Sequence, residues 1–322
     1  KMSIAGYARL GYTAVEDHVC RGAMKTRIDI LSGFLGAGKT TLILKLLESP
    51  PANEKLAICE NEYGEVGIDG DALQGRGLEV LEVNAGCVCC TLSINLIAGL
   101  KLLIAQHHPD RILLEPTGLA NLAEILSILS GDEGLARLAE VGTAAAVLDG
   151  SSLLKAYEQY HRYFDAQIAS ASVLFLNRSE SLTEPERAAI TERIAAVNPR
   201  VQVIAEPFSA AEAWQALDEP ATQAGAAWPS LPKSWLASFQ QVAVETGWPG
   251  SRERLDAFIG SDLAAGLVRA KGFVRDGQGA RVRADFAGGQ WAFAPAEGDG
   301  EDNLQLIGRR LPLNLIRQYF AK

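Results

Sequence analysis

No run of uncharged apolar residues in this chain is long enough to cross a bilayer, so a helical membrane span is not expected. A secretory leader is not expected either, because residues 1–23 lack a clean apolar core and carry Glu16 and Asp17. Positive charge is in short supply. The formal net charge is −9, which argues against a broad grip on a nucleic-acid backbone, and no nucleic-acid partner is expected. Cysteine is scarce, with 5 residues, and the odd count with three crowded together makes a poor disulfide framework. Such a pattern suits reduced thiols and a metal in the cytosol, and a cytoplasmic location is expected. Histidine is scarcer still, with 4 residues and no histidine-rich tract. His107 and His108 fall at a predicted helix end, where an imidazole favours the negative dipole, rather than in a ligand pattern.

What remains is ordinary globular composition. Hydrophobic residues make up 48% and charged residues 21% of the chain. Its 322 residues exceed what one hydrophobic core usually serves, so two domains are expected. Residues 1–23 receive no function. From 24 to 205, short β-rich runs alternate with helical stretches. The predicted strands are Arg27–Leu31, Leu56–Cys59, Leu78–Val83, Arg111–Glu115, Ala144–Asp149, Ser172–Asn177 and Val201–Ala205. Several are continuous apolar runs, as strands covered on both faces require. Leu92, Leu96, Leu100, Leu103 and Ile104 form a helical stripe between two of them. Alternation of this kind predicts an α/β fold with a mostly parallel sheet flanked by helices. Residues 206–237, rich in Ala and Pro, read as a helical connector or linker. From 238 to 322 runs of strands beside a few helices predict a smaller α+β domain. Its expected strands are Gln241–Glu245, Leu267–Arg275, Ala280–Phe286, Gln290–Ala294 and Leu304–Gly308, and its helices Ser251–Ile259 and Leu313–Phe320.

Gly33-Phe34-Leu35-Gly36-Ala37-Gly38-Lys39-Thr40 matches the Walker A pattern and sits between a predicted strand and a predicted helix, the context it needs. Gly33, Gly36 and Gly38 let the backbone curl so that N–H groups, including those of Ala37 and Thr41, face phosphate oxygens. The helix beginning near Lys39 adds its positive end. Lys39 is expected on the β- and γ-phosphates and the Thr40 hydroxyl on Mg²⁺. Ile112-Leu113-Leu114-Glu115 is an apolar strand ending in a carboxylate, followed by Pro116-Thr117-Gly118. Beside a Walker A loop, Glu115 is expected to hold a Mg²⁺-bound water or orient the attacking water. The Gly118 N–H is expected to sense the γ-phosphate. Asn177-Arg178-Ser179-Glu180 occupies the place of the guanine-reading Asn-Lys-x-Asp. Asn177 keeps the expected residue. Arg178 is able to lay its stem or plane against a base, and Glu180 to accept the guanine N1 and N2 protons. The two substitutions keep an ATP-dependent P-loop enzyme, such as a kinase or cofactor-processing enzyme, as an alternative to a GTPase.

Cys87-Val88-Cys89-Cys90 precedes a predicted helix, a position that lowers thiol pKa values. Thiolates are soft ligands for Zn²⁺ and related ions. A single cysteine usually packs as a small hydrophobe, but three in four residues do not fit that habit. Glu60, Glu62 and Glu65 follow the second strand and are candidates to complete an open, exchangeable site. The plain reading of those acids is solvated loop charge. A nucleotide-binding adaptor with purely structural zinc is the third reading.

Together, Gly33–Thr41, Glu60-Asn61-Glu62-Tyr63-Gly64, Gly86-Cys87-Val88-Cys89-Cys90 and Glu115-Pro116-Thr117-Gly118 resemble, in order and spacing, the CobW-type GTPase family. Arg269-Ala270-Lys271-Gly272-Phe273 and Leu306-Ile307-Gly308-Arg309 resemble that family's smaller second domain. The resemblance implies a GTP-hydrolysing metallochaperone that delivers zinc or cobalt to a metal-requiring client protein. It makes Cys87, Cys89 and Cys90 the metal motif, with Glu60 and Glu65 in the loop that adds ligands. It places Asn177 and Glu180 where guanine is read, and it is compatible with a homodimer. The Arg and Glu of the guanine motif and the missing histidine tract depart from the family pattern.

Overall fold

The computed structural model describes residues 24–60, 79–82, 92–219, 238–287, 290–296, 298 and 302–321. Two compact units divide the chain, Lys1–Leu231 and Pro232–Lys322. No helix among the described residues is long and apolar enough to cross a membrane.

In the first unit, seven strands form a sheet in the order β3-β2-β4-β1-β5-β6-β7, and every pairing is parallel. They are β1 (Thr26–Gly33), β2 (Leu56–Glu60), β3 (Glu79–Glu82), β4 (Arg111–Glu115), β5 (Ala139–Asp149), β6 (Val173–Asn177) and β7 (Gln202–Ala205). The helices of this unit are α1 (Lys39–Leu46), α2 (Leu92–His107), α3 (Leu122–Ser130), α4 (Glu133–Leu138), α5 (Gly150–Ser170), α6 (Glu184–Val197) and α7 (Ala210–Asp218). Leu42, Ile43 and Leu46 of α1 share one buried cluster with Leu31, Leu113, Val147 and Phe175 of the strands. Helix α3 packs against β1 and β5, and α5 against β5 and β6. Because the strands are parallel, the chain leaves β1, β2, β4, β5 and β6 along one edge of the sheet, where open α/β sheets bind ligands.

Two features depart from the sequence reading. Strand β5 starts at Ala139 rather than Ala144, taking in Glu140-Val141-Gly142-Thr143. Asp29, buried in the middle of β1, draws this segment in: its Oδ1 accepts the Thr143 N–H at 2.6 Å. A Cβ on Gly142 would lie 2.1 Å from the same oxygen, so only glycine fits there. The second departure concerns residues 206–219, read as the start of a helical connector or linker but part of the first unit. Residues 210–218 form α7, opened by a capping box of Ser209 and Glu212, with Ala213, Trp214, Ala216 and Leu217 buried. The Trp214 Nε1 donates to Leu46 O at 2.9 Å and the Thr143 hydroxyl to Leu217 O at 2.7 Å, tying the helix to α1 and β5. The rest of the predicted connector, 220–237, lies outside the described residues.

Asp29 also anchors an ion cluster at the far end of the sheet. Arg27 Nε donates to Asp29 Oδ1 at 3.0 Å, and Arg111 Nε lies 3.4 Å from Asp29 Oδ2. Arg111 reaches Asp218 of α7 at 2.5 Å. Burial pushes the Asp29 carboxyl's pKa up, against the pull of Arg27 and the Thr143 N–H. Removing one partner of a buried pair leaves the other charge uncompensated. Arg111→Met keeps the volume of the stem and is expected to cost about 3–5 kcal/mol of stability. Urea denaturation checks this; an unchanged midpoint would refute the role given to the cluster.

The second unit is a five-stranded antiparallel sheet in the order β11-β10-β9-β12-β8. Its strands are β8 (Phe239–Glu245), β9 (Leu267–Arg275), β10 (Arg281–Ala287), β11 (Gln290–Pro295) and β12 (Asn303–Arg309). Helices α8 (Ser251–Ile259) and α9 (Leu313–Phe320) bury Leu255, Phe258, Ile316 and Phe320 against Val242, Ala270, Val274 and Leu306.

Candidate nucleotide site

The loop after β1 is built by its glycines. Gly36 and Gly38 adopt φ of 75° and 97°. A Cβ on Gly38 would lie 2.4 Å from Asn177 Nδ2, so a side chain there would strike the neighbouring turn as well as strain the backbone. Gly38 caps α1 without any side-chain hydrogen bond, and the first turn of α1 holds no acid. The amides and the positive end of that helix therefore face the loop with no acid of the helix's own beside them. Ala37 is buried and donates its N–H to Phe34 O at 3.1 Å, while Thr41 lies on the exposed side of α1.

Lys39 is only 7% exposed. Its Nζ lies 3.5 Å from Phe34 O and 3.8 Å from Glu115 Oε1. The Thr40 hydroxyl sits 3.0 and 3.2 Å from the two Glu115 carboxylate oxygens. The last residue of β4 is thus brought onto the first two residues of α1, although 75 positions separate Thr40 from Glu115. Gly118, just beyond, approaches the loop so closely that a Cβ would meet Leu35 Cδ2 at 2.7 Å and Leu35 N at 2.8 Å.

From the other side, Asn177 at the end of β6 donates its Nδ2 to Ala37 O at 3.0 Å and to Gly38 O at 3.4 Å. Its Oδ1 is buried with no hydrogen-bond partner among the described residues. Arg178 takes φ of 51°, and its guanidinium donates to Gly36 O at 2.5 Å and to Asp149 Oδ1 at 2.9 Å. Its backbone N–H donates to Glu206 Oε2. The N–H groups of Arg178 are therefore committed to the loop and to Asp149. Glu180 is exposed in the short 3₁₀ turn Ser179–Ser181. Asp149 and Glu206 escaped the sequence reading. Their positions at or just past strand ends β5 and β7 were the available signal.

Glu60 ends β2 and is 6% exposed. Its neighbours in register are Glu115 of β4 on one side and Glu82 of β3 on the other. Beside it, burial and the charge of Glu60 push the Cys59 thiol up to about 12, so this cysteine does not serve as a thiolate. Cys87, Cys89, Cys90, Glu62 and Glu65 lie outside the described residues, and no group of three or more His, Cys, Asp or Glu able to hold a metal occurs among those described.

A parallel sheet, a glycine loop opening a helix with Lys-Thr, and a carboxylate at the end of a neighbouring strand define a P-loop nucleotide-binding protein. The chain belongs to the CobW/HypB/UreG family: the model of that family's nucleotide-binding domain matches residues 27–205, and that of the cobalamin synthesis protein CobW C-terminal domain matches 239–322. It is 39% identical over 164 residues to the zinc chaperone YeiR of Escherichia coli, covering 51% of this chain and 50% of that protein. It is 31% identical over 183 residues to the zinc chaperone YjiA of the same organism, covering 55% of this chain and 56% of that protein. The chain thus spans about half the length of these curated relatives. A crystal structure of Zn(II)-bound YjiA GTPase from E. coli overlaps 93% of this chain and 100% of that chain with a TM-score of 0.47 at 19% identity.

Proposed function

We propose that this protein is a GTP-hydrolysing metallochaperone that carries zinc to a metal-requiring client. The observation that carries the reading is the register of Glu60 against Glu115 at the nucleotide edge of the sheet. Glu115 belongs to the phosphate side of that edge, through Lys39 and Thr40. Glu60 begins the acidic stretch that leads to Glu62 and Glu65. Strand β3 ends at Glu82, beside Glu60, and Cys87 follows five residues later. That tether is at most about 18 Å long. The thiols of Cys87, Cys89 and Cys90 are then within reach of the edge that binds the triphosphate, and zinc is the cargo their softness favours. The relatives named zinc chaperones support the choice of zinc over cobalt.

In this reading, the amides of Gly36 and of Gly38 to Thr41 and the Lys39 ammonium hold the β- and γ-phosphates, while the Ala37 N–H closes the loop on Phe34 O instead of facing a phosphate. The Thr40 hydroxyl and the Glu115 carboxylate, 3.0 Å apart, are hard oxygen donors of the kind Mg²⁺ takes. Bound there, Mg²⁺ neutralises phosphate charge. Glu115 also lies where it can orient the attacking water, and the Gly118 N–H contacts the γ-phosphate. Asn177 braces the loop, Arg178 lends its stem or its plane to the base, and Glu180 accepts the guanine N1 and N2 protons. Loss of the γ-phosphate loosens the Glu60 loop and the cysteines and favours transfer. The second domain carries the client contact, and the cytosol keeps the thiols reduced.

Calorimetry on the full chain with GTP and ATP tests the nucleotide assignment. GTP is expected to bind at least about tenfold more tightly, the return on one well-made pair of charged hydrogen bonds. Equal or tighter binding of ATP would refute it.

A further inference from the structure

Helix α5 touches the phosphate loop and the turn after β4 at the same time. Phe34 is an aromatic residue inside the loop, between two of its glycines. Its ring centroid lies 5.2 Å from Tyr160, 5.2 Å from Tyr163 and 5.6 Å from Phe164, all on α5. Tyr163 is fully buried, and its hydroxyl donates to Gly118 O at 3.1 Å. One turn further along, Gln167 Nε2 donates to Ala120 O at 2.9 Å. The stripe 160, 163, 164 and 167 therefore holds the loop with its rings and the segment 118–120 with its polar tips. Helical geometry breaks at Tyr160 (φ −128°, ψ 26°), where Phe34 docks. At its start, α5 is capped by Asp149, the partner of Arg178.

Glycine is required at 118 because Leu35 leaves no room for a Cβ. It is also the residue with the most backbone freedom, so its conformation needs an anchor from outside. The Tyr163 hydroxyl supplies one by fixing the Gly118 carbonyl. Burial pushes the Tyr163 pKa far up, so the group is a donor at every working pH.

We propose that Tyr163 is a positioning residue that couples the Gly118 turn to the phosphate loop through Phe34, and so sets how strongly the site distinguishes a nucleoside triphosphate from a diphosphate. The proposal deepens the GTPase reading and rests on it. A γ-phosphate that engages the Gly118 N–H works against a turn already held in place. Without the anchor, ordering that turn is charged to triphosphate binding, while a diphosphate, which does not reach Gly118, is unaffected.

Tyr163→Phe keeps the ring and its packing on Phe34 and removes the hydroxyl, with its bond to Gly118 O and its bond with the Gln167 side chain. Calorimetry on the full chain with GDP and with a non-hydrolysable GTP analogue reads the effect. The variant is expected to lose about three- to tenfold in affinity for the analogue, the worth of one hydrogen bond, with GDP affinity unchanged. Thermal melts check that it folds. Should it not, Phe34→Leu, which leaves the hydroxyl and cuts the link to the loop, is expected to narrow the same ratio. Equal losses for both nucleotides, or an unchanged ratio in a folded variant, would overturn the proposal and leave the GTPase reading standing. A parent protein that binds neither nucleotide would remove both.

Discussion

Lys39→Ala will lower GTP turnover by roughly 10²–10³-fold, the loss that follows when one donor aimed at developing charge is removed. Lys39 sits where the proposed role needs it. Its stem is buried, and its Nζ rests 3.5 Å from Phe34 O and 3.8 Å from Glu115 Oε1. At 3.8 Å the Glu115 contact is long for a charge-assisted hydrogen bond, which runs about 2.7–2.9 Å. A phosphate oxygen at ordinary hydrogen-bonding distance would be a better partner than either. In the proposed function the ammonium turns to the phosphates when nucleotide binds. The variant should melt within a few degrees of the parent, since Thr40 still bonds Glu115 at 3.0 Å. Single-turnover hydrolysis with saturating nucleotide separates the chemical step from binding. Turnover within about threefold of the parent would show that the loop is not the catalytic one.

Much of this architecture was legible in the chain because its signals are local. Apolar runs such as Ile112–Leu114 announce strands, and the glycines, Lys39 and Thr40 of the phosphate loop lie within eight consecutive residues. The strands and helices of the second unit were read to within about two residues, since alternation and turn residues mark them directly. What escaped was set by contacts between distant parts. Strand β5 begins early because Asp29 captures the Thr143 N–H, 114 residues away. Helix α7 belongs to the first unit because Trp214 bonds Leu46 O across 168 residues, while its Ala-rich sequence suggested a helical connector between domains. In the site, the pattern around Asn177 named a base-reading turn but gave no hint that Asn177 would brace Ala37 and Gly38. Likewise Phe34 gave no local sign that it would dock among Tyr160, Tyr163 and Phe164.

The second large effect concerns the thiols. Replacing Cys87, Cys89 and Cys90 together by alanine will weaken zinc binding by more than about 100-fold, since even losing an outer-shell partner of a metal ligand costs 10–100-fold. Nucleotide affinity in the absence of zinc will stay within about twofold, because the proposed phosphate and Mg²⁺ contacts come from the phosphate loop, Glu115 and Gly118. Removing the thiols should also abolish any dependence of zinc affinity on the bound nucleotide. That dependence is the heart of the account, and linkage makes it measurable from either side. Competition of the parent protein against a chromophoric chelator, once with a non-hydrolysable GTP analogue bound and once with GDP, measures it directly. The account predicts zinc held at least about fivefold more tightly in the triphosphate state. The same zinc affinity in both states would contradict it.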